Sequence, residues 1–172
     1  MTDFSTRPGL RLASAVLCWQ LVFIPWQGKA QESETMTSFS TGGHSVYHLR
    51  CARDRGEADA KLFAAAYDGA VLAYHPGGKR IWRNADSDAF PLDMAIADID
   101  GDGRQETLVA SADGALRVLG ADGAEQWTFQ REPPLIQVCV TDDVNGKPII
   151  LTGGMEKVLY ALDSKGKVLK SL

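Results

Sequence analysis

The chain has 172 residues, 45% of them hydrophobic and 23% charged, with net charge −4. That balance fits one globular domain or part of one, and excludes a disordered, collagen-like or disulfide-rich chain. The acidic balance argues against a nucleic-acid surface, and 17 glycines with 8% aromatics favour short strands and tight turns over a helical bundle.

Residues 1–30 have the three parts of a secretory signal peptide. Arg7 and Arg11 precede the apolar run Leu12–Trp26, and Gly28-Lys29-Ala30 places small residues before a cleavage point at Gln31. The apolar run is shorter than the ~20 residues that span a bilayer, so no integral span is expected after cleavage. Leu17 stands where a lipobox before Cys18 would want a small residue. The expected location is secreted or periplasmic. Loss of Arg7, Arg11, Lys29 and Asp3 makes the remainder more acidic still, which suits solubility and cation binding. Residues 31–43 are polar, lack periodicity and read as a flexible leader. The cysteines left, Cys51 and Cys139, fall on different repeats and are expected as buried thiols.

From residue 44 onward the chain repeats itself. Gly69–Trp82 aligns without a gap on Gly114–Trp127, and a third copy begins at Lys157, at offsets of 45 and then 43 residues. A period of that length belongs to propeller blades and solenoids. Each copy carries four strand signals. In the first these are Val46–Cys51, Leu62–Tyr67, Val71–Tyr74 and Arg80–Arg83. In the second they are Leu92–Ile99, Thr107–Ala112, Ala115–Leu119 and Gln126–Gln130, with hairpin turns at Asp113-Gly114 and Asp122-Gly123. In the third they are Leu135–Thr141, Pro148–Thr152, Val158–Leu162 and Val168–Leu172. No convincing helical period interrupts them. The expected fold is all-β: three four-stranded antiparallel blades at about 44–84, 90–130 and 134–172, an incomplete β-propeller.

The segment Gly-x-apolar-x-Ala followed by Gly-Lys-x-x-Trp resembles the blade repeat of pyrroloquinoline-quinone-type bacterial propellers. The resemblance implies that Trp82 and Trp127 dock one blade against the next, and Lys170 departs from it in the third. Propellers close with four to eight blades. Three therefore imply a fragment of a longer chain, or assembly with copies of itself or another protein through exposed blade faces. Quinone binding is not expected, since that cofactor sits on the axis of a closed ring.

Asp98-Ile-Asp100-Gly-Asp102-Gly-Arg104-Gln-Glu106 is the segment that carries chemistry. Aspartates at positions 1, 3 and 5, the carbonyl of Arg104 at 7 and the carboxylate of Glu106 at 9 offer the hard oxygen shell that Ca²⁺ prefers. An EF-hand would need an acidic residue at position 12, where Val109 stands, and flanking helices. A plain turn would not gather four carboxylates, which within ~5 Å repel by roughly 1–3 kcal/mol per pair. The nine-residue loop resembles the calcium loops of FG-GAP and VCBS repeats, with Glu106 where those usually carry Asp. The equivalent loops, Arg53–Asp59 and Asp142–Gly146, have lost the pattern. One structural Ca²⁺ is therefore expected, pinning the first two strands of the central blade together.

Other chemistry is weaker. His44 and His48 share a strand face roughly 13 Å apart, and His75 sits in a turn beside Pro76. No nucleophile elbow is present, Gly77-Gly78-Lys79 lacks phosphate-loop spacing, and Arg50, Arg53 and Arg55 read as a solvated basic face. No catalytic set and no cofactor-binding set beyond the metal loop is expected. The functional expectation is an exported, Ca²⁺-stabilised propeller module acting in binding or assembly, with carbohydrate among its possible partners. The alternative is the truncated propeller of a secreted quinone-dependent dehydrogenase or polysaccharide-acting enzyme.

Overall fold

The computed structural model describes residues 38–172; the expected signal peptide and most of the leader lie outside them. Twelve strands form three sheets. The first blade holds β1 (Val46–Ala52), β2 (Lys61–Ala66), β3 (Val71–Tyr74) and β4 (Arg80–Asn84). The second holds β5 (Pro91–Ala97), β6 (Glu106–Ser111), β7 (Ala115–Leu119) and β8 (Glu125–Gln130). The third holds β9 (Leu135–Asp142), β10 (Pro148–Gly154), β11 (Leu159–Leu162) and β12 (Val168–Ser171). Each sheet is an antiparallel meander in chain order, and among the described residues there is no helix. None is therefore long and apolar enough to cross a membrane.

The sheets stack face to face, with β1, β5 and β9 adjacent along the inner side. Alternation sends one set of side chains from each blade to either neighbour. Phe63, Ala65, Val71, Ala73 and Trp82 meet Met94, Val109 and Leu119 of the second blade. Leu108, Ala110, Leu116 and Val118 meet Leu135, Val138, Ile150, Tyr160 and Leu162 of the third. The central blade is sandwiched: every residue of β6 is buried, whereas every residue of β12 is exposed. On the other side of the first blade, Ala64, Ala66, Ala70, Leu72 and Tyr74 form a further apolar cluster.

Strand pairing slips by a residue at repeating places. The inner strands slip at Val46/His48 and Pro91/Asp93, and opposite Gly153/Gly154 in the third blade. The third strands slip at Ala73/Tyr74, Val118/Leu119 and Ala161/Leu162. A bulge adds twist and re-aims the next side chain. Just past the inner-strand slip, His48 Nε2 lies 2.9 Å from the Leu92 carbonyl, and Asp93 Oδ2 accepts the Val138 N–H at 3.0 Å. Each ties its blade to the next.

The two tryptophans lie on the hairpin turns of the following blade. A Cβ at Gly123 would lie 2.5 Å from the Trp82 ring, and one at Gly166 would lie 2.7 Å from the Trp127 ring. Trp127 Nε1 also donates to the Ser164 carbonyl at 3.0 Å. The first blade's turn, at Gly78, meets Phe39 in the same way, at 2.8 Å, and Phe39 stacks on Tyr74 with ring centroids 5.1 Å apart.

Cys51 and Cys139 are exposed and unpaired, contrary to the expectation of buried thiols. Both stand on inner strands, where side chains line an open groove instead of a packed blade interface. Sequence alternation could not distinguish these two surfaces.

Candidate metal centre

The loop between β5 and β6 wraps its own main chain with its aspartates. Asp98 Oδ1 accepts the Gly101 N–H at 2.7 Å and Oδ2 accepts that of Gly103 at 2.9 Å. Asp100 Oδ1 accepts the Asp102 N–H at 3.0 Å. Gly101 and Gly103 both take positive φ, at 84° and 91°, which makes this tight path accessible without Cβ strain. Glu106, the first residue of β6, is 1% exposed and accepts the Ile99 N–H at 3.0 Å.

One oxygen each from Asp98, Asp100 and Glu106 falls within 4.8 Å of the others. Burial pushes the Glu106 carboxyl up to about 7, and the charges of Asp100, Asp102 and Asp98 add to the rise. Asp102 is turned elsewhere. Its carboxylate takes the Arg104 N–H at 2.7 Å and the guanidinium Nε at 3.0 Å and Nη2 at 2.9 Å. Those hydrogen bonds hold Asp102 below the ordinary carboxylate range. Three of the sequence-predicted residues thus converge, while Asp102 and the Arg104 side chain pair with each other.

The first blade's degenerate loop props this one. Arg55 N donates to the Gly103 carbonyl at 2.7 Å, and its guanidinium lies 3.4 Å from Asp98. Asp54, 6% exposed, accepts the Gln105 N–H at 3.0 Å and is ion-paired with Lys61. Asp54 is not marked by the sequence because folding alone brings it to its partners, Lys61 at the start of β2 and Gln105 in the next blade's loop; its place between Arg53 and Arg55 was the available signal.

A groove of about 540 Å³ runs beside the inner strands, lined by Arg50, Cys51, Asp93, Cys139, Thr141 and Asp142 among others. Arg50 pairs with Asp93 at 3.3 Å. His44 pairs with Asp68 at 2.6 Å, so the three histidines do not form a common site among the described residues.

Residues 61–172 match the family described as the lambda-carrageenase beta-propeller domain. The lambda-carrageenase of Pseudoalteromonas carrageenovora is 34% identical over 114 residues, which cover 66% of this chain and 12% of that protein. A lambda-carrageenase of Pseudoalteromonas sp. matches to the same extent. The chain thus spans only a small part of these curated relatives' length. Among solved structures, BBS1N in a complex with ARL6DN superposes with TM-score 0.60 at 18% identity, over 78% of this chain and 43% of that one. The computationally designed Ika4 protein superposes with TM-score 0.62 at 12% identity, over 78% of this chain and 76% of that one. At such identities the structures speak for the fold alone. By its sequence match and its sheets, the chain belongs to the lambda-carrageenase β-propeller domain family.

Proposed function

We propose that the chain is an exported, Ca²⁺-stabilised propeller module that serves a polysaccharide-acting protein in binding or assembly. The family match supplies the polysaccharide context. The observation that carries the metal reading is the convergence of Asp98, Asp100 and Glu106, with Glu106 buried among like charges. A divalent cation would relieve that repulsion and let Glu106 ionise, and an all-oxygen donor set suits Ca²⁺. These carboxylates would hold the ion, and Asp102 and the Arg104 carbonyl would join as in the FG-GAP type of loop. The ion supplies charge neutralisation at the β5–β6 junction; the chain's own part is to fix the loop path through Gly101, Gly103 and the Asp54 and Arg55 props.

The groove along the inner strands is the carbohydrate surface in this reading, with Arg50, Asp93, Thr141 and Asp142 as its polar lining. Affinity electrophoresis through gels containing lambda-carrageenan, compared with dextran gels and run with and without Ca²⁺, tests it. Retardation by the carrageenan that is lost on Arg50→Ala supports binding in the groove. Equal mobility in both gels contradicts it and leaves assembly as the role. Export is tested by the N-terminus of the processed protein, expected within a few residues of Gln31.

A further inference from the structure

The bulges at the start of the inner strands push one unpaired residue out of each sheet: Tyr47, Leu92 and Ile136 in turn. Beside it, the hairpin after each second strand opens with Tyr67, Ala112 and Met155. The Tyr67 N–H donates to the Ser45 carbonyl at 2.9 Å, as that of Ala112 does to Phe90 at 2.9 Å. These ties bring Tyr47, Tyr67 and Phe90 together at one end of the first two blades. Tyr47 and Tyr67 have ring centroids 5.0 Å apart, and Phe90 lies 4.8 Å from Tyr47 and 5.3 Å from Tyr67. Interplanar angles of 69°, 51° and 45° make this an aromatic corner instead of a parallel stack.

The fold does not need these rings. The second blade builds the equivalent corner from Leu92, Ala112 and Pro134. Nor are they buried: Tyr47 is 45% and Tyr67 55% exposed. The opening hairpin residue is exposed in all three blades, although the central blade is covered on both faces. The exposure of Tyr67 therefore belongs to this end of the propeller, not to the uncovered side of the first blade. Touching aromatics left half in water form an interaction surface.

Its surroundings are polar. Asp68, next to Tyr67, pairs with His44 Nδ1 at 2.6 Å, and the exposed Arg83 donates from Nε to His44 Nε2 at 3.2 Å. Tyr47 meets the His48 ring edge-on at 4.6 Å, and His48 Nε2 lies 2.9 Å from the Leu92 carbonyl. Leu92 adjoins Asp93, which lines the inner-strand groove together with Arg50. A pyranose ring matches such a corner. Its C–H face is apolar and partly positive, which suits the negative face of an aromatic ring. Its edge carries hydroxyl or charged groups that need polar neighbours. We propose that Tyr47, Tyr67 and Phe90 form a sugar-stacking subsite for one pyranose ring of a polysaccharide chain, which then runs past His48 to Arg50. The inference deepens the polysaccharide reading above and rests on it.

Affinity electrophoresis of the protein through lambda-carrageenan gels, at low and at high salt, is the test. Tyr67→Ala and Tyr47→Leu give the first blade the residues that the second already uses, so the strand signature in circular dichroism should be unchanged. Each should weaken retardation several-fold, and Tyr67→Phe, which keeps the ring, should preserve it. The ring-dependent part should persist at high salt, where the Arg50 part is screened. Retardation lost on Arg50→Ala but indifferent to both ring variants would overturn the subsite and leave the groove reading standing. Retardation that survives Arg50→Ala and falls with the ring variants supports the subsite and contradicts the groove. No retardation of the unmodified protein would overturn the subsite together with the polysaccharide reading.

Discussion

Asp54 of the first blade accepts the main-chain N–H of Gln105 in the second, at 3.0 Å, while its other oxygen holds Lys61. Gln105 immediately precedes Glu106, so this contact sets where the acidic loop enters β6. A loop that has lost its own ligands thereby supports the loop that keeps them. Asp54→Ala leaves the Lys61 ammonium, with only 16% side-chain exposure, short of its main partner. Breaking a shielded pair in this way costs on the order of 3 kcal/mol. The expected result is a markedly lower melting temperature together with a weaker response to Ca²⁺, read by thermal melts with and without the ion.

Lys157 adopts φ 62°, where the first two blades place Gly69 and Gly114. A non-glycine residue in this region loses roughly 1–2 kcal/mol, partly offset because glycine is more flexible when unfolded. Lys157→Gly should therefore stabilise the chain by about 0.5–1 kcal/mol, visible as a higher denaturant midpoint at constant slope. Gly114→Ala should act oppositely and more strongly, since its Cβ would lie 2.0 Å from the Arg131 carbonyl oxygen.

Glu106 gives the pH dependence its sign. With the metal chelated, its folded carboxyl sits near 7 against an ordinary 4.5. The native state then binds the extra proton, so stability falls as pH rises from about 4.5 to 7, by up to roughly 3 kcal/mol. Glu106→Gln removes that slope because its side chain carries no proton to lose. With Ca²⁺ bound, the ionised form is the one held, so neither the folded nor the unfolded carboxyl carries a proton over the same interval and the slope should flatten. Denaturant titrations at pH 5 and 7, in chelator and in Ca²⁺, read a fall in stability with pH that the ion removes.

Much of this architecture is legible in the sequence because each strand is short, alternating and bounded by turn residues. Asp113-Gly114 and Asp122-Gly123 fall at hairpins, and the Gly-to-Trp spacing reports the repeat directly. The twelve expected strands match the observed ones to within about two residues, the ordinary scatter of strand ends. What escaped is what depends on relations between strands. The bulges that aim His48 and Asp93 leave no compositional trace, and Phe39 lies in a polar stretch read as leader. Asp102 fits the ligand pattern by position, yet Arg104 two residues on competes for its carboxylate. The exposed cysteines escaped because the inner strand of a blade faces a groove that alternation alone does not mark.

Thermal melting at neutral pH in Ca²⁺ and in chelator tests the metal role of the Asp98–Glu106 loop most directly. Binding to the native state alone raises stability by ~2.7 kcal/mol at a hundred times the dissociation constant. Ca²⁺ should therefore raise the melting temperature by several degrees, with Mg²⁺ a poor substitute because it demands a smaller octahedral shell. Asp100→Ala should abolish most of the difference, and Asp142→Ala, in the degenerate third loop, should preserve it. Superimposable melting curves in Ca²⁺ and chelator, on folded unmodified protein, would contradict the metal centre and leave Asp98, Asp100 and Glu106 as an acidic turn.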